Sequence, residues 1–401
     1  MRGTTIWRAC LLTIGAVLVP GLAFGQDQGG PVGYQGYSLP DPQLPLPIGN
    51  TQPDQGGLFV IGQYVMFRQT NPIQGQPIAT RGFTDTDGSI TGVPGAHIGS
   101  GVIALDANQV SGPNGFQPGF NAGLGWRFGD GSALSFDWTY LTTNRTIAAA
   151  TLAPPGGNVF LNFSESFISA PVFNFPNNFA GPPDKIGVGN AEAAFGIWNG
   201  ASIMTLAFDQ RFNQAQITYR MPVYETECFR MSGLVGPRMA WIWERFQWVT
   251  TDLPASGTPN FDTDVAVYTN IVSNVMYGVH AGSSSEWYIG HGFAVQLDLE
   301  AALFANSVKE EASYQLGNHF GVTNKRSRRE FTVVPEFQGM LGMQWYPAEG
   351  IKLMVGYNLM AFLNTVAAPQ PVDFNYGSLT PNYQRQNRLF DGITAGISFS
   401  F

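Results

Sequence analysis

Leu389-Phe390-Asp391-Gly392-Ile393-Thr394-Ala395-Gly396-Ile397-Ser398-Phe399-Ser400-Phe401 is the stretch that decides the fold. Ile393, Ala395, Ile397, Phe399 and Phe401 share one face, and Gly392, Thr394, Gly396, Ser398 and Ser400 share the other. A period of two places successive side chains on opposite faces of an extended strand. A strand that ends flush on an aromatic residue has no tail to cover it. At the edge of a soluble sheet that is a liability, but it is expected where the strand closes a membrane barrel. An ordinary buried terminal strand is the competing reading, and this stretch alone leaves it open.

Composition supports the barrel. Only 12% of the 401 residues are charged, against about 25% in an average soluble protein. Gly at 49, Pro at 27 and aromatics at 13% favour strands and turns over helices. Mean hydropathy is close to zero, as a wall with one lipid face and one wet face requires. Arg2 and Arg8, the apolar run Ala9 to Val19 and Ala23-Phe24-Gly25 read as a secretory signal over 1–25, because the run is too short to span a bilayer. Its removal leaves 18 basic and 28 acidic residues, a net charge of −10 that argues against nucleic acid as a partner. Cys10 leaves with the signal, so Cys228 has no internal disulfide partner, and backbone pairing must hold the exported chain together.

Residues 26–56 carry six prolines among glycines and glutamines and read as a periplasmic linker, with 57–401 as the barrel. Phe120, Ala122, Leu124, Trp126 and Phe128 alternate with polar residues up to Gly129-Asp130-Gly131. Leu134, Phe136, Trp138 and Tyr140 then continue the alternation in a hairpin partner. Similar pairs are predicted at 204–221 with 228–249, at 262–281 with 287–305 through a serine turn at Gly282 to Glu286, and at 331–345 with 351–363. Residues 204–221 change apolar parity near Asn213, which marks a bulge or the exit from the membrane. A loop is expected over 306–329, with a strand extension at Val308 to Leu316 as an option. The prediction is a closed antiparallel transmembrane β-barrel of about ten strands, with five long extracellular loops, four short periplasmic turns and both termini on the periplasmic side. Trp126, Phe128, Trp287, Tyr288, Trp345 and Tyr346 near the turns, and Phe246 and Trp248 opposite, are expected to form two aromatic girdles.

Gly236-Pro237-Arg238, Asn274 with Tyr277-Gly278 and Gly282, Val334-Pro335-Glu336, Val355-Gly356-Tyr357-Asn358 and the terminal strand resemble the bacterial outer-membrane proteins of β-barrel porin family 7. The likeness runs from about Gly57 to Phe401. In that family an arginine often precedes the proline equivalent to Pro369, whereas this chain has Ala368. The resemblance implies an outer-membrane barrel, and Ile393, Ile397, Phe399 and Phe401 resemble the C-terminal signal read by the barrel-assembly machinery.

On the face predicted to line the lumen stand Arg127, Arg230, Arg238 and Lys352, with Asp137, Glu244, Asp298, Glu300 and Glu336. Glycines on the same face make room for them. Four basic and five acidic groups nearly balance, so they are expected to pair across the lumen and leave a narrow path at best. Solvated wall charges without a further role are the alternative. The expected function is a porin-like passive channel or an envelope structural or surface protein, touching outer-membrane lipid and small solutes or ions, with no cofactor and no metal. An outer-membrane hydrolase with a rim or wall site is the second reading. It would need His280 beside Ser283, Ser284 and Ser285, or His97 beside Asp85 and Asp87, yet neither set forms a nucleophile motif. Asp85-Thr86-Asp87-Gly88 opens like a calcium loop and lacks its later glutamate. Lys325-Arg326-Ser327-Arg328-Arg329 is the basic cluster, suited to anionic outer-leaflet groups or to guarding a strand end.

Overall fold

The computed structural model describes residues 57–401 except 86–87, 89–90, 113–114, 152–166, 176–195, 227, 253–263, 318–322 and 349. The expected signal (1–25) and linker (26–56) lie outside the described residues. Ten barrel strands follow in chain order: β1 Gly57–Gln69, β2 Phe116–Arg127, β3 Ala133–Thr151, β4 Ile203–Glu225, β5 Phe229–Thr251, β6 Val265–Gly290, β7 Phe293–Leu316, β8 Thr323–Ala348, β9 Ile351–Gln370 and β10 Asn382–Ser400. Each is antiparallel to its neighbours in sequence, and β1 pairs with both β2 and β10, so the sheet closes on itself. Closure satisfies every edge that an open sheet would leave unpaired in lipid. The terminal strand is part of this seam: Gly396 lies opposite Gln63, and the Phe401 amide donates to the Leu58 carbonyl at 2.9 Å.

Period-two patterning sets which face meets lipid. Leu124, Val235, Met239, Tyr277, Leu299, Leu303, Phe337, Leu341, Val355 and Ile393 all point outward and are exposed. A continuous apolar surface of this extent on an isolated chain is a membrane-facing belt. Among the described residues no helix is long and apolar enough to cross a membrane, so the crossing is made by strands.

Four expectations are corrected. First, β6 runs straight through the serines to Gly290, pairing Ser283 with Leu299 and Ser285 with Leu297. The turn falls at Gly290, His291 and Gly292, whose φ values of 99°, 52° and 80° need the left-handed conformations that glycine supplies. Serine is common in turns and is also accommodated within a strand, where Ser284 takes the wet interior face and Ser283 and Ser285 the outer one. Second, 306–329 is mostly strand: β7 reaches Leu316 and β8 already begins at Thr323, so the basic cluster lies within a strand. Third, β3 extends to Thr151, well past Tyr140, where the alternation read from the sequence ends. Fourth, Phe246 and Trp248 are buried inside the barrel, Tyr288 shares the interior face of buried Glu286, and the Tyr346 hydroxyl donates to interior Gln344 at 2.8 Å. Trp126, Phe128 and Trp345 do remain exposed on the outer face, and Trp287 shares that face.

The Phe246 error has the same cause as the parity change near Asn213. β4 itself keeps its register, with Asn213 opposite both Tyr140 and Trp241, while its partner β3 carries a one-residue bulge between Leu141 and Asn144, beside Phe212 and Gln210. Below it β4 is apolar outside (Ile217, Met221) and polar inside (Gln214, Thr218); above it, Phe212, Phe208, Leu206 and Met204 turn inward while Arg211 and Asp209 turn outward. The strand leaves lipid, and its facing pattern inverts as water replaces hydrocarbon. Strands of 23 to 26 residues exceed the ~10 needed to cross a bilayer at a tilt. The excess forms an extracellular wall. Its core holds Trp198, Trp248, Tyr268, Tyr314 and Tyr376, packed with residues of the connecting loops such as Ile78, Leu105 and Val110.

Candidate functional site: the occluded lumen

Side chains from opposite walls meet inside the barrel in successive layers. Nearest the periplasmic turns, Gln296 donates to Asp298 at 2.8 Å and accepts from Gln344, and the Tyr288 hydroxyl donates to Glu286 at 3.3 Å. Lys352 lies within electrostatic reach of Glu286 and Asp298, and Arg127 within reach of Arg230, Arg220 and Glu286. Arg230 also donates to Glu225 at 3.0 Å.

Arg238 dominates the next layer. From β5 it crosses to β8, where Nη1 donates to Glu336 at 2.9 Å and to Gln338 at 3.2 Å, while Nη2 donates to Glu300 on β7. The Arg238 and Glu336 side chains are wholly inaccessible to solvent. Planar guanidinium geometry suits such a multiple bridge. The residue fits because Gly236, one interior step below it, brings the β4 backbone unusually close: a Cβ there would stand 1.9 Å from the Ile217 carbonyl oxygen. On the β2–β3 side, Ser135 donates to Asp137 at 2.9 Å and Asn121 to Thr139 at 2.7 Å.

An apolar layer follows. Phe212 (β4), Phe390 (β10), Phe362 (β9) and Phe304 (β7) come from different sectors of the wall, with ring centroids 4.4 Å apart for 212–390, 5.6 Å for 362–390 and 6.3 Å for 304–362. Val65, Phe67, Leu141, Ala240, Ile242, Met276, Ala302, Val334 and Met360 belong to the same cluster. Above it Arg388 (β10) grips Glu244 (β5) through both terminal nitrogens, one at 2.8 Å; its Nε donates to Thr365 at 3.0 Å, and Gln210 donates to Glu244 at 2.9 Å. The top of β9 then bends over the opening. Asn274 on β6 donates to the Val366 carbonyl at 2.9 Å and accepts from its amide at 3.0 Å, and Tyr268 and Asn270 both donate to the Pro371 carbonyl. Ala368, where the resembled family often has arginine, is buried against Val272 and Val308.

All nine residues singled out from sequence lie on the interior face. Arg238, Glu300 and Glu336 are brought into one cluster, Glu244 pairs elsewhere, and Arg127, Arg230, Asp298 and Lys352 gather at the periplasmic end. Sequence reasoning missed Arg388, Glu286 and Arg220. Extending the terminal alternation back from Gly392 through Phe390 puts Arg388 on the wet face; the stretch read from the sequence starts at Leu389, whereas β10 begins at Asn382. Ile393, Ile397, Phe399 and Phe401 point outward along the seam.

The residues of the hydrolase reading do not assemble. His280 Nε2 lies 3.2 Å from the Thr218 hydroxyl inside the barrel. Ser283 and Ser285 face outward, and Ser284 is four residues along the same strand, about 13 Å away. Asp85 accepts from the Thr91 amide and hydroxyl at 2.8 and 2.7 Å, His97 Nε2 lies 3.4 Å from the Arg81 carbonyl, and Asp87 is outside the described residues. Among the described residues no three His, Cys, Asp or Glu side chains are grouped to hold a metal. In the basic cluster, Lys325 pairs with Glu311 at 2.6 Å and Arg328 with Glu330 at 2.7 Å.

A closed sheet with hydrocarbon-facing side chains and a polar, cross-braced interior defines an outer-membrane β-barrel protein. Residues 85–401 match the family model described as Legionella pneumophila major outer membrane protein precursor, and the chain belongs to that family. The description differs from that of the family resembled in sequence, but the implied fold and outer-membrane location are the ones found. Three solved barrels are similar over most of their length. They are the outer membrane protease OmpT of Escherichia coli (10% identity, 87% of this chain and 97% of that one, TM-score 0.37), a Pseudomonas aeruginosa FadL homologue (10%, 87% and 90%, 0.22) and an anion-selective porin from Comamonas acidovorans (10%, 86% and 99%, 0.16). Likenesses this distant carry no argument for this chain. A search of curated proteins finds no match.

Proposed function

We propose that the protein is a passive, non-enzymatic outer-membrane barrel whose resting lumen is occluded, so that it passes small ions at most and serves the envelope through its wall and exposed surface. The observation that carries this reading is the phenylalanine layer from β4, β7, β9 and β10, sandwiched between the Arg238 and Arg388 ion-pair layers. Water-filled pores keep their charges solvated and unpaired along the wall. Here Arg238 and Arg388 are held by carboxylates from facing strands, and rings fill the space between. The outward row of β10 is the proposed contact for the barrel-assembly machinery.

Conductance across a planar bilayer tests the reading. Purified protein should insert without large, stable current steps, and liposomes carrying it should not swell in small neutral solutes. Sustained high conductance from the unmodified protein would overturn it.

A further inference from the structure

On the outer wall, three arginines from adjacent strands gather just above the lipid-facing belt. Arg145 (β3), Asp209 (β4) and Arg245 (β5) lie in one cross-strand row, and Arg211 sits one outward step below, opposite Trp243. Arg145 and Arg211 are exposed and Arg245 is one-third exposed. Asp209 is buried between the guanidinium groups, with Arg245 Nε at 2.9 Å and Arg145 Nε at 3.6 Å. One carboxylate aligns the row but neutralises only one of three cations. Arg211 lies over the Trp243 ring at 4.6 Å, and Arg245 is 5.6 Å from the same ring. A guanidinium laid on an indole face keeps its N–H edge free for an acceptor.

The position of this cluster selects its partner. Outward residues on β3 run Phe136, Trp138 and Tyr140 before the row, and those on β5 run Met239, Trp241 and Trp243. Tryptophan and tyrosine mark the headgroup level of a bilayer. At that level the anions presented sideways to the wall are lipid phosphates, and arginine binds phosphate through two parallel N–H bonds. The outward Arg68 elsewhere on the rim differs, because Asp391 takes both its Nε and its Nη2 at 3.1 and 2.9 Å and leaves no surplus charge.

We propose that Arg145, Arg211 and Arg245, with Trp243 as platform, form a docking site for the phosphate-bearing headgroup of an outer-leaflet lipid. The test is titration of folded, detergent-solubilised full-length protein with diphosphorylated lipid A, counting bound lipid by native mass spectrometry. Arg211→Gln should weaken binding about fivefold, and Arg145→Gln with Arg211→Gln about 25-fold, the contribution expected of one and two arginines at a charged headgroup surface. Arg245 is left in place so that Asp209 keeps its closest cation. Lys325→Gln, which removes an outward charge elsewhere, should bind as the unmodified protein does. Heat-modifiable migration verifies that each variant is folded, and Arg211, held only by the Trp243 face among the contacts described, provides a variant that leaves the ion pairs intact. Unchanged affinity in folded Arg211→Gln would overturn the proposal, as would equal binding of dephosphorylated lipid A. Displacement by millimolar inorganic phosphate would do so too, since it would mark a free-anion site instead of a lipid site.

Discussion

Replacing Arg388 by methionine measures whether the lumen is dry. Methionine keeps the length of the side chain and removes its charge, which leaves the Glu244 carboxylate with only the 2.9 Å bond from Gln210. Both members of the pair are almost fully enclosed, at 1% and 4% side-chain exposure. An uncompensated carboxylate in such a place costs about 3–5 kcal/mol. A pair standing in pore water would lose about 0.2–1 kcal/mol on the same change. The two descriptions of the lumen therefore differ by more than about 2 kcal/mol, some thirtyfold in the folding equilibrium. Glu244→Gln combined with Arg388→Met should recover most of the loss, because no charge then remains stranded. The assay is reversible urea unfolding in lipid vesicles, followed by tryptophan fluorescence, with gel mobility reporting the folded barrel. A loss below about 1 kcal/mol in the single variant, or a double variant no more stable than the single, would refute the dry lumen.

Phe212→Ala with Phe390→Ala should open the apolar layer, costing several kcal/mol of stability, about 3–5 per ring if the site cannot collapse, and producing ion-current steps in bilayers absent from the parent. Gly236→Ala should destabilise the barrel by at least the ~1–3 kcal/mol of an overpacked core, since its Cβ would meet the Ile217 carbonyl at 1.9 Å, whereas Gly62→Ala, with nothing within 4 Å, should be tolerated; unfolding midpoints compare them. Deleting Phe401 should lower the amount of barrel assembled in cells while refolding in detergent stays intact, and equal defects in both would refute a role in assembly. Partial burial pushes the Glu311 carboxyl up, but hydrogen bonds from Lys309 and Lys325 outweigh it and hold the folded-state pKa below the usual range. The stability Glu311 adds is therefore present above the ordinary carboxylate pKa and fades as pH falls through the depressed one; Glu311→Gln should flatten that acid limb in urea titrations.

Strand number, closure and the order of loops and turns were legible because lipid imposes a strict period of two with a single sign. Where that sign reversed, sequence reading failed in a consistent way. Phe246 and Trp248 look like girdle residues because they are aromatic and lie far from the periplasmic turn, yet they share the parity of Arg238 and Glu244, and parity decides the face. Arg238, Glu300 and Glu336 could each be placed on the interior from their own strands. That they meet could not be read, because it depends on strand tilt and on the glycine-permitted approach of β4 to β5. The phenylalanine layer was hidden for a related reason: an apolar side chain at an interior position reads as noise in a pattern that expects polar ones there.

The reversal of pattern makes the molecule two cores stacked along one continuous sheet. In the lower part hydrocarbon outside stabilises the wall, and the interior can hold charges only because opposite walls supply their partners. In the upper part water lies outside, so stability must come from the interior, and Trp198, Trp248, Tyr268, Tyr314 and Tyr376 supply it as in a soluble protein. The Phe212 layer and the Glu244–Arg388 pair stand at the junction, where neither lipid nor water supports the wall alone. Opening a pathway would require the upper core to give up its loop packing and the junction to part at the same time. Either change alone leaves the other closed, so a barrel of this design stays shut through ordinary fluctuations of its loops.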